Sequence, residues 1–139
     1  MYLNFKNNNI ARPGDLPVLV LAYVGDAVYE LAVREHLIGV GLVKVNKLHS
    51  ETVKYVNAGA QAKALHALEG MFTEEEAAIV RRGRNARSPH TPRNAGMIEY
   101  RRSTALECLI GYLYLKGAAA RLSEIMTAAL EAINEEKND

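Results

Sequence analysis

Tryptophan is absent from this 139-residue chain, and cysteine occurs once, at Cys108. A single thiol excludes an internal disulfide framework and points to a reducing compartment. Breakers are scarce too: there are 4 prolines, and aromatic side chains make up only 6%. With alanine and leucine abundant, that balance predicts an all-α fold. No apolar run near 20 residues is free of charge, so no membrane span is expected. The opening stretch MYLNFKNNNIARPG has neither the basic start nor the apolar run of a signal peptide, which makes a cytoplasmic setting the default expectation. An excess of one charge is also missing. The net charge is +1, so total charge names no partner. What remains, 49% hydrophobic and 24% charged residues, fits one compact domain over 1–139 with a substantial core.

Along the chain, residues 1–14 read as a polar lead-in punctuated by Pro13-Gly14. Asp15 is placed to cap a helix with Leu16 and Pro17 in its first turn. That helix is the centre of the pattern. Its stretch 19–37, LVLAYVGDAVYELAVREHL, lacks proline and is apolar all round the wheel, so a helical bundle wrapped around it is expected. Gly39 and Gly41 end it. Asn46 is placed to cap a second helix over 47–68, with Lys47, Lys54 and Lys63 on a basic outer side. Thr73 and Glu76 form a capping box for a short helix that stops at Gly83. A long helix over 97–116 ends at Gly117. A final amphipathic helix covers about 118–134, and the tail EEKND (135–139) is expected to fray.

Two acids interrupt the apolar helices. Around Asp26 the helical neighbours are Leu19, Ala22, Tyr23, Tyr29, Glu30 and Val33. Around Glu107 they are Tyr100, Ser103, Thr104, Ile110, Gly111 and Tyr114, of which the small members allow close approach. An ionised carboxylate in such surroundings is costly unless a cation or several donors meet it. Each acid alone is explained by a core arginine or a helix end. Two on separate helices bring in a shared cation, and oxygen-only ligands indicate magnesium or manganese rather than zinc. Glu30, one turn after Asp26, is either a third ligand or a partner for Arg34, and the partner role is favoured.

The second anomaly is the stretch 81–102, RRGRNARSPHTPRNAGMIEYRR, which sets seven arginines against Glu99 alone. Pro89 and Pro92 forbid a regular helix through its middle and leave a stiff loop. Arginine forks suit phosphate oxygens, so Arg81, Arg82, Arg84, Arg87 and Arg93 suggest a polyanion surface. The plainer alternative is a solvated loop, or salt bridges to Glu74, Glu75 and Glu76. No aromatics interleave the arginines, which favours contact with a duplex backbone over stacking on single strands. His36, His49, His66 and His90 show no metal-ligand spacing, and Cys108 points about 100° away from Glu107 round the helix.

The segments that hold the two acids carry a resemblance. LAYVGDAVYEL (21–31) resembles the signature helix of the ribonuclease III family, in which a Gly-Asp pair follows aromatic and aliphatic residues. STALECLIGYLYL (103–115) is similar to the family's second acidic helix. The short length and the loop SPHTPRNA (88–95) resemble the mini-ribonuclease III branch, which has no separate double-stranded-RNA-binding domain. The resemblance covers about 16–117. It implies an all-helical homodimer that cuts double-stranded RNA, with precursor 23S (large-subunit) ribosomal RNA as substrate and Mg2+ as cofactor, Mn2+ being able to substitute. Asp26 and Glu107 would be the catalytic metal ligands. Where larger members carry further acids, this chain has Leu19, Ala22 and Thr104, so water, phosphate oxygens or Thr104 would complete the sphere. The rival implied by the missing acids is a non-catalytic double-stranded-RNA-binding or ribosome-assembly protein on the same fold.

Overall fold

Several helix boundaries in this chain trace to a local capping or packing cause. The computed structural model describes residues 10–94 and 96–138. Residues 1–9 of the expected lead-in and Asp139 of the expected tail lie outside the described residues. Within them are six α-helices: α1 (Val18–Gly39), α2 (Val45–Val56), α3 (Ala58–Leu68), α4 (Glu74–Arg84), α5 (Met97–Lys116) and α6 (Ala119–Asn138). Short 3-10 turns cover Pro13–Asp15 and Glu69–Met71, and no strand occurs among the described residues. The fold is all-α, as the composition predicts.

The capping box of α4 forms as expected. The Glu76 N–H donates to Thr73 Oγ1 at 3.1 Å, and the Thr73 N–H donates to Glu76 Oε1 at 3.0 Å. Gly117, with φ of 77°, closes α5, and the Ala118 N–H reaches back to the Leu113 carbonyl at 3.0 Å. The same six-residue closure ends α1 at Gly41 (φ 102°), where the Leu42 N–H bonds the Leu37 carbonyl at 3.1 Å.

Several boundaries differ from the expectation. Asn46 does not cap the second helix, which begins at Val45 after Lys44 and has no side-chain cap. Asp15 does not cap α1; it sits in the 3-10 turn and pairs with Arg12 at 3.0 Å, while Pro17 opens the helix with its carbonyl. The expected helix over 47–68 is two helices. Asn57 turns extended (ψ 156°), accepts from the Ala60 N–H at 2.8 Å and donates to the Val53 carbonyl at 2.9 Å. Its short amide thus ends α2 and starts α3, the local competition with backbone bonding that asparagine offers. Helix α4 runs through Gly83 to Arg84, because Gly83 is a packing position: a Cβ there would lie 2.9 Å from both the Ala105 Cα and the Cys108 Sγ. At the other end, the helical backbone of α6 continues through most of the tail that was expected to fray.

The helix at the centre is α5 rather than α1. Residues 103–106 and 108–113 are all buried, against α1, α3, α4 and α6. Helix α1 buries Leu21, Ala22, Gly25, Val28, Tyr29, Ala32, Val33 and Leu37, but leaves an apolar strip open. Tyr23 on that strip is 81% exposed, with Val20, Leu31 and Ile38 also open to solvent. Between α4 and α6, Arg121 clasps the buried Glu76 at 2.7 Å and donates to the Met71 carbonyl, which locks the turn before α4.

Candidate active site

Where α1 crosses α5, two glycines face each other's backbone. A Cβ at Gly25 would fall 1.7 Å from the Glu107 carbonyl oxygen, and one at Gly111 would fall 1.9 Å from that of Leu21. No side chain fits between the helices, so their backbones touch. The consequence is chemical. Asp26 follows Gly25, and Glu107 lies one turn before Gly111, so the crossing brings the two acids together. Their side chains share a hydrogen bond.

The pair is asymmetric. Asp26 is exposed, whereas Glu107 is half-buried beneath it. Burial, then the hydrogen bond to Asp26 and its negative charge, push the Glu107 carboxyl up to about 8, and the nearby Gln61 amide pulls the other way. The groups acting on Glu107 are thus an acid and an amide, not a core arginine. Tyr29 lies below, fully buried; its hydroxyl donates to the Tyr55 carbonyl at 2.6 Å. Burial and the Glu107 charge raise that phenol, which stays protonated.

The other expected site residues divide. Thr104 is buried and its hydroxyl donates to the Tyr100 carbonyl at 3.0 Å, a bond within its own helix. Glu30 faces Arg34 at 3.5 Å, in the partner role. Arg81, Arg84, Arg87 and Arg93 are exposed and make no ion pair among the described residues. Two of the three acids named as possible partners are taken up elsewhere: Lys116 holds Glu75 at 3.2 Å and Arg121 holds Glu76. Arg82 is spent differently. Its guanidinium donates to the Gly14 and Leu16 carbonyls at 3.0 and 3.3 Å, tethering the chain before α1. Sequence reasoning missed Gln61, which is 3% exposed on α3. The available signal was one amide among alanines and leucines on the apolar side of a helix.

Residues 19–118 match the family model of the ribonuclease III domain. The chain belongs to the ribonuclease III family. Its ribonuclease III relatives include the Mini-ribonuclease 3 of Symbiobacterium thermophilum, 52% identical over 89% of this chain and 95% of that protein. The Mini-ribonuclease 3 of Brevibacillus brevis is 50% identical, with 94% of each covered. A crystal structure of a protein from Fusobacterium nucleatum superposes with a TM-score of 0.75 at 29% identity, over 84% of this chain and 93% of that one. The chain is an endoribonuclease of the ribonuclease III type.

Ribonuclease III enzymes generally depend on a divalent cation. The donor set at Asp26 and Glu107 fits one: two carboxylates meet at a point that opens to solvent, and a buried amide stands beside them. Oxygen donors alone suit a hard ion such as magnesium. Among the described residues no group of three or more histidine, cysteine or acidic side chains converges, so further ligands to such an ion would have to be water or substrate oxygens.

Proposed function

We propose that this enzyme is a homodimeric, Mg2+-dependent endoribonuclease that hydrolyses phosphodiester bonds in double-stranded RNA, with precursor 23S ribosomal RNA as its substrate in the bacterial cytoplasm. The observation that carries the reading is the contact between Asp26 and Glu107 at the α1–α5 crossing. Asp26 and Glu107 would hold the cation, and Mn2+ would serve in its place. When bound, the cation supplies an activated water and offsets charge growing on the phosphate and the leaving 3′-oxygen. The two side chains divide the work: exposed Asp26 faces incoming substrate, while half-buried Glu107 anchors from beneath.

Grip comes from elsewhere. Arg81, Arg84, Arg87 and Arg93 stand exposed on the last turns of α4 and the loop after it, and make no ion pair among the described residues. Phosphates held by such forks give salt-dependent affinity without base preference, and A-form RNA offers them across its wide minor groove. Arg82, engaged with backbone carbonyls, contributes less. The open strip of α1 gives the dimer its surface. A cleft of about 440 Å3 lined by Tyr23, Ala27, Leu31 and Tyr114 also includes Asp26, so a partner seated there sets two sites close together. Two-fold symmetry would then present one site to each strand, and the resemblance to the ribonuclease III family implies staggered cuts with 5′-phosphates.

The test is a long RNA duplex incubated with Mg2+. Asp26→Asn and Glu107→Gln should each lose cleavage by about a thousandfold or more, with unchanged circular dichroism and duplex affinity. Full activity in either variant removes that residue from the site. Binding without any cleavage by the unaltered protein would favour a non-catalytic role in ribosome assembly.

A further inference from the structure

Gln61 occupies an unusual place. Its side chain is buried at the edge of α3, and its amide is turned toward the Glu107 carboxyl. Yet Nε2 meets no acceptor at hydrogen-bonding geometry, the one buried side-chain nitrogen or oxygen atom left so among the described residues. A core that satisfies Thr52, Ser103, Thr104 and Glu76 leaves this donor alone. An unmet buried donor is expensive, and in a native fold it calls for an acceptor close by.

We propose that Gln61 is a positioning residue of the metal site: its Nε2–H donates to the Glu107 carboxylate oxygen that faces away from the cation, fixing the rotamer in which the other oxygen ligates. This rests on the nuclease reading above. A carboxylate has two oxygens and about four acceptor sites. In the arrangement described here, Asp26 occupies one side of Glu107. Once a cation takes the face between the acids, the hydrogen bond between them is given up and Glu107 must be held from behind. The groups within reach of Glu107 are few, and Gln61 is the only neutral amide among them. Ligating carboxylates are themselves usually hydrogen-bonded, and that second contact governs affinity as much as orientation. In a site with two acids, a neutral donor also holds Glu107 without adding a positive charge that would compete with the ion.

The break between α2 and α3 serves this placement. Asn57 restarts the helix, and the Gln61 N–H takes the Asn57 carbonyl at 3.1 Å in the first turn. Gln61 is therefore presented from the side-chain-capped first turn of α3.

The test compares the unaltered protein with Gln61→Leu, which keeps bulk and removes the amide, and with Gln61→Met as a second apolar replacement. Mn2+ binding is measured without RNA by electron paramagnetic resonance, Mg2+ dependence by duplex cleavage, and duplex affinity in EDTA. We expect Mn2+ affinity to fall about 10- to 100-fold. The half-saturating Mg2+ concentration should rise by a similar factor, while the rate at saturating metal stays within a few-fold and duplex affinity is unchanged. The melting temperature of the metal-free variants should stay level or rise, because an unmet donor has gone. A role in packing alone predicts the reverse, a lower melting temperature with unchanged metal affinity, and would overturn the inference. So would an unchanged metal requirement in either folded variant. Failure of the unaltered protein to cut a duplex with any divalent metal would overturn the nuclease reading and this inference with it.

Discussion

At the scale of single residues, the proton on Glu107 is the feature with the widest consequences. Its carboxyl is raised from the ordinary 4.5 to about 8 by burial and by Asp26. Below about 4.5 the folded and unfolded chains both carry this proton. Between about 4.5 and 8 the folded chain keeps it while the unfolded chain has lost it. The unfolded state then binds fewer protons, so stability falls as pH rises through this window and the loss is complete above about 8. In EDTA, the melting temperature should therefore decline between about pH 5 and pH 8.5 more steeply in the unaltered protein than in Glu107→Gln. The variant should be the more stable of the two at the alkaline end. Parallel melting curves for the two proteins would show that the proton is not held. Metal binding must displace the same proton, so apparent affinity should climb with pH until about 8. Both acids were legible in the sequence as single charges in apolar helices. Their exposure was not, because a helical wheel gives a residue's neighbours within its own helix but not what covers them. Asp26 reads as enclosed and is open. The role of Gln61 was illegible for a related reason: an amide gives no charge anomaly, and its meaning depends on Glu107, which is 46 positions away.

At the scale of elements, the site depends on a crossing that only glycine permits. The atom that a Cβ at Gly111 would strike is a backbone carbonyl oxygen, at 1.9 Å, and backbone cannot rotate aside as a flexible side chain would. Relief requires α1 and α5 to separate along the seam that holds Asp26 against Glu107. Gly111→Ala should cost about 3 kcal/mol or more, at or beyond the upper end of overpacking penalties, and should remove cleavage as well. Gly39→Ala is the counterpart. It lies in the last turn of α1 with nothing within 4 Å of its Cβ position, so it should be neutral or gain up to about 1 kcal/mol. Chemical denaturation of the two variants checks both signs; similar behaviour would mean that the crossing is looser than the geometry requires. The helices themselves were largely legible, since Gly41, Gly117 and the Thr73–Glu76 box act through local hydrogen bonds. Two features were not. The split at Asn57 arises because its amide outcompetes a backbone that could also have stayed helical. The passage of α4 through Gly83 depends on Ala105 and Cys108, more than 20 positions away, which no local rule sees.

At the scale of the whole molecule, an apolar wheel around α1 carries the reading of a helix enclosed by its own chain. Only part of it is. The strip with Val20, Tyr23, Leu31 and Ile38 stays open, and sequence periodicity cannot distinguish burial by the same chain from burial by another copy. If a second copy covers this strip, Tyr23 is its most effective probe, being 81% exposed and on the rim of the cleft that also contains Asp26. Tyr23→Glu places a charge where a two-fold interface would set it opposite its own image, so both desolvation and repulsion act against association. Sedimentation at micromolar concentration should give a dimer for the unaltered protein and a monomer for Tyr23→Glu, with the helical circular-dichroism spectrum preserved. The chemistry should change with the assembly. A lone subunit still holds Asp26 beside Glu107, but presents one site to a duplex instead of two, so product shifts from paired cuts to slow single-strand nicks. A dimer that survives the substitution would move the interface elsewhere on the molecule. Nicking without loss of the dimer would mean that Tyr23 contacts the duplex rather than a second subunit.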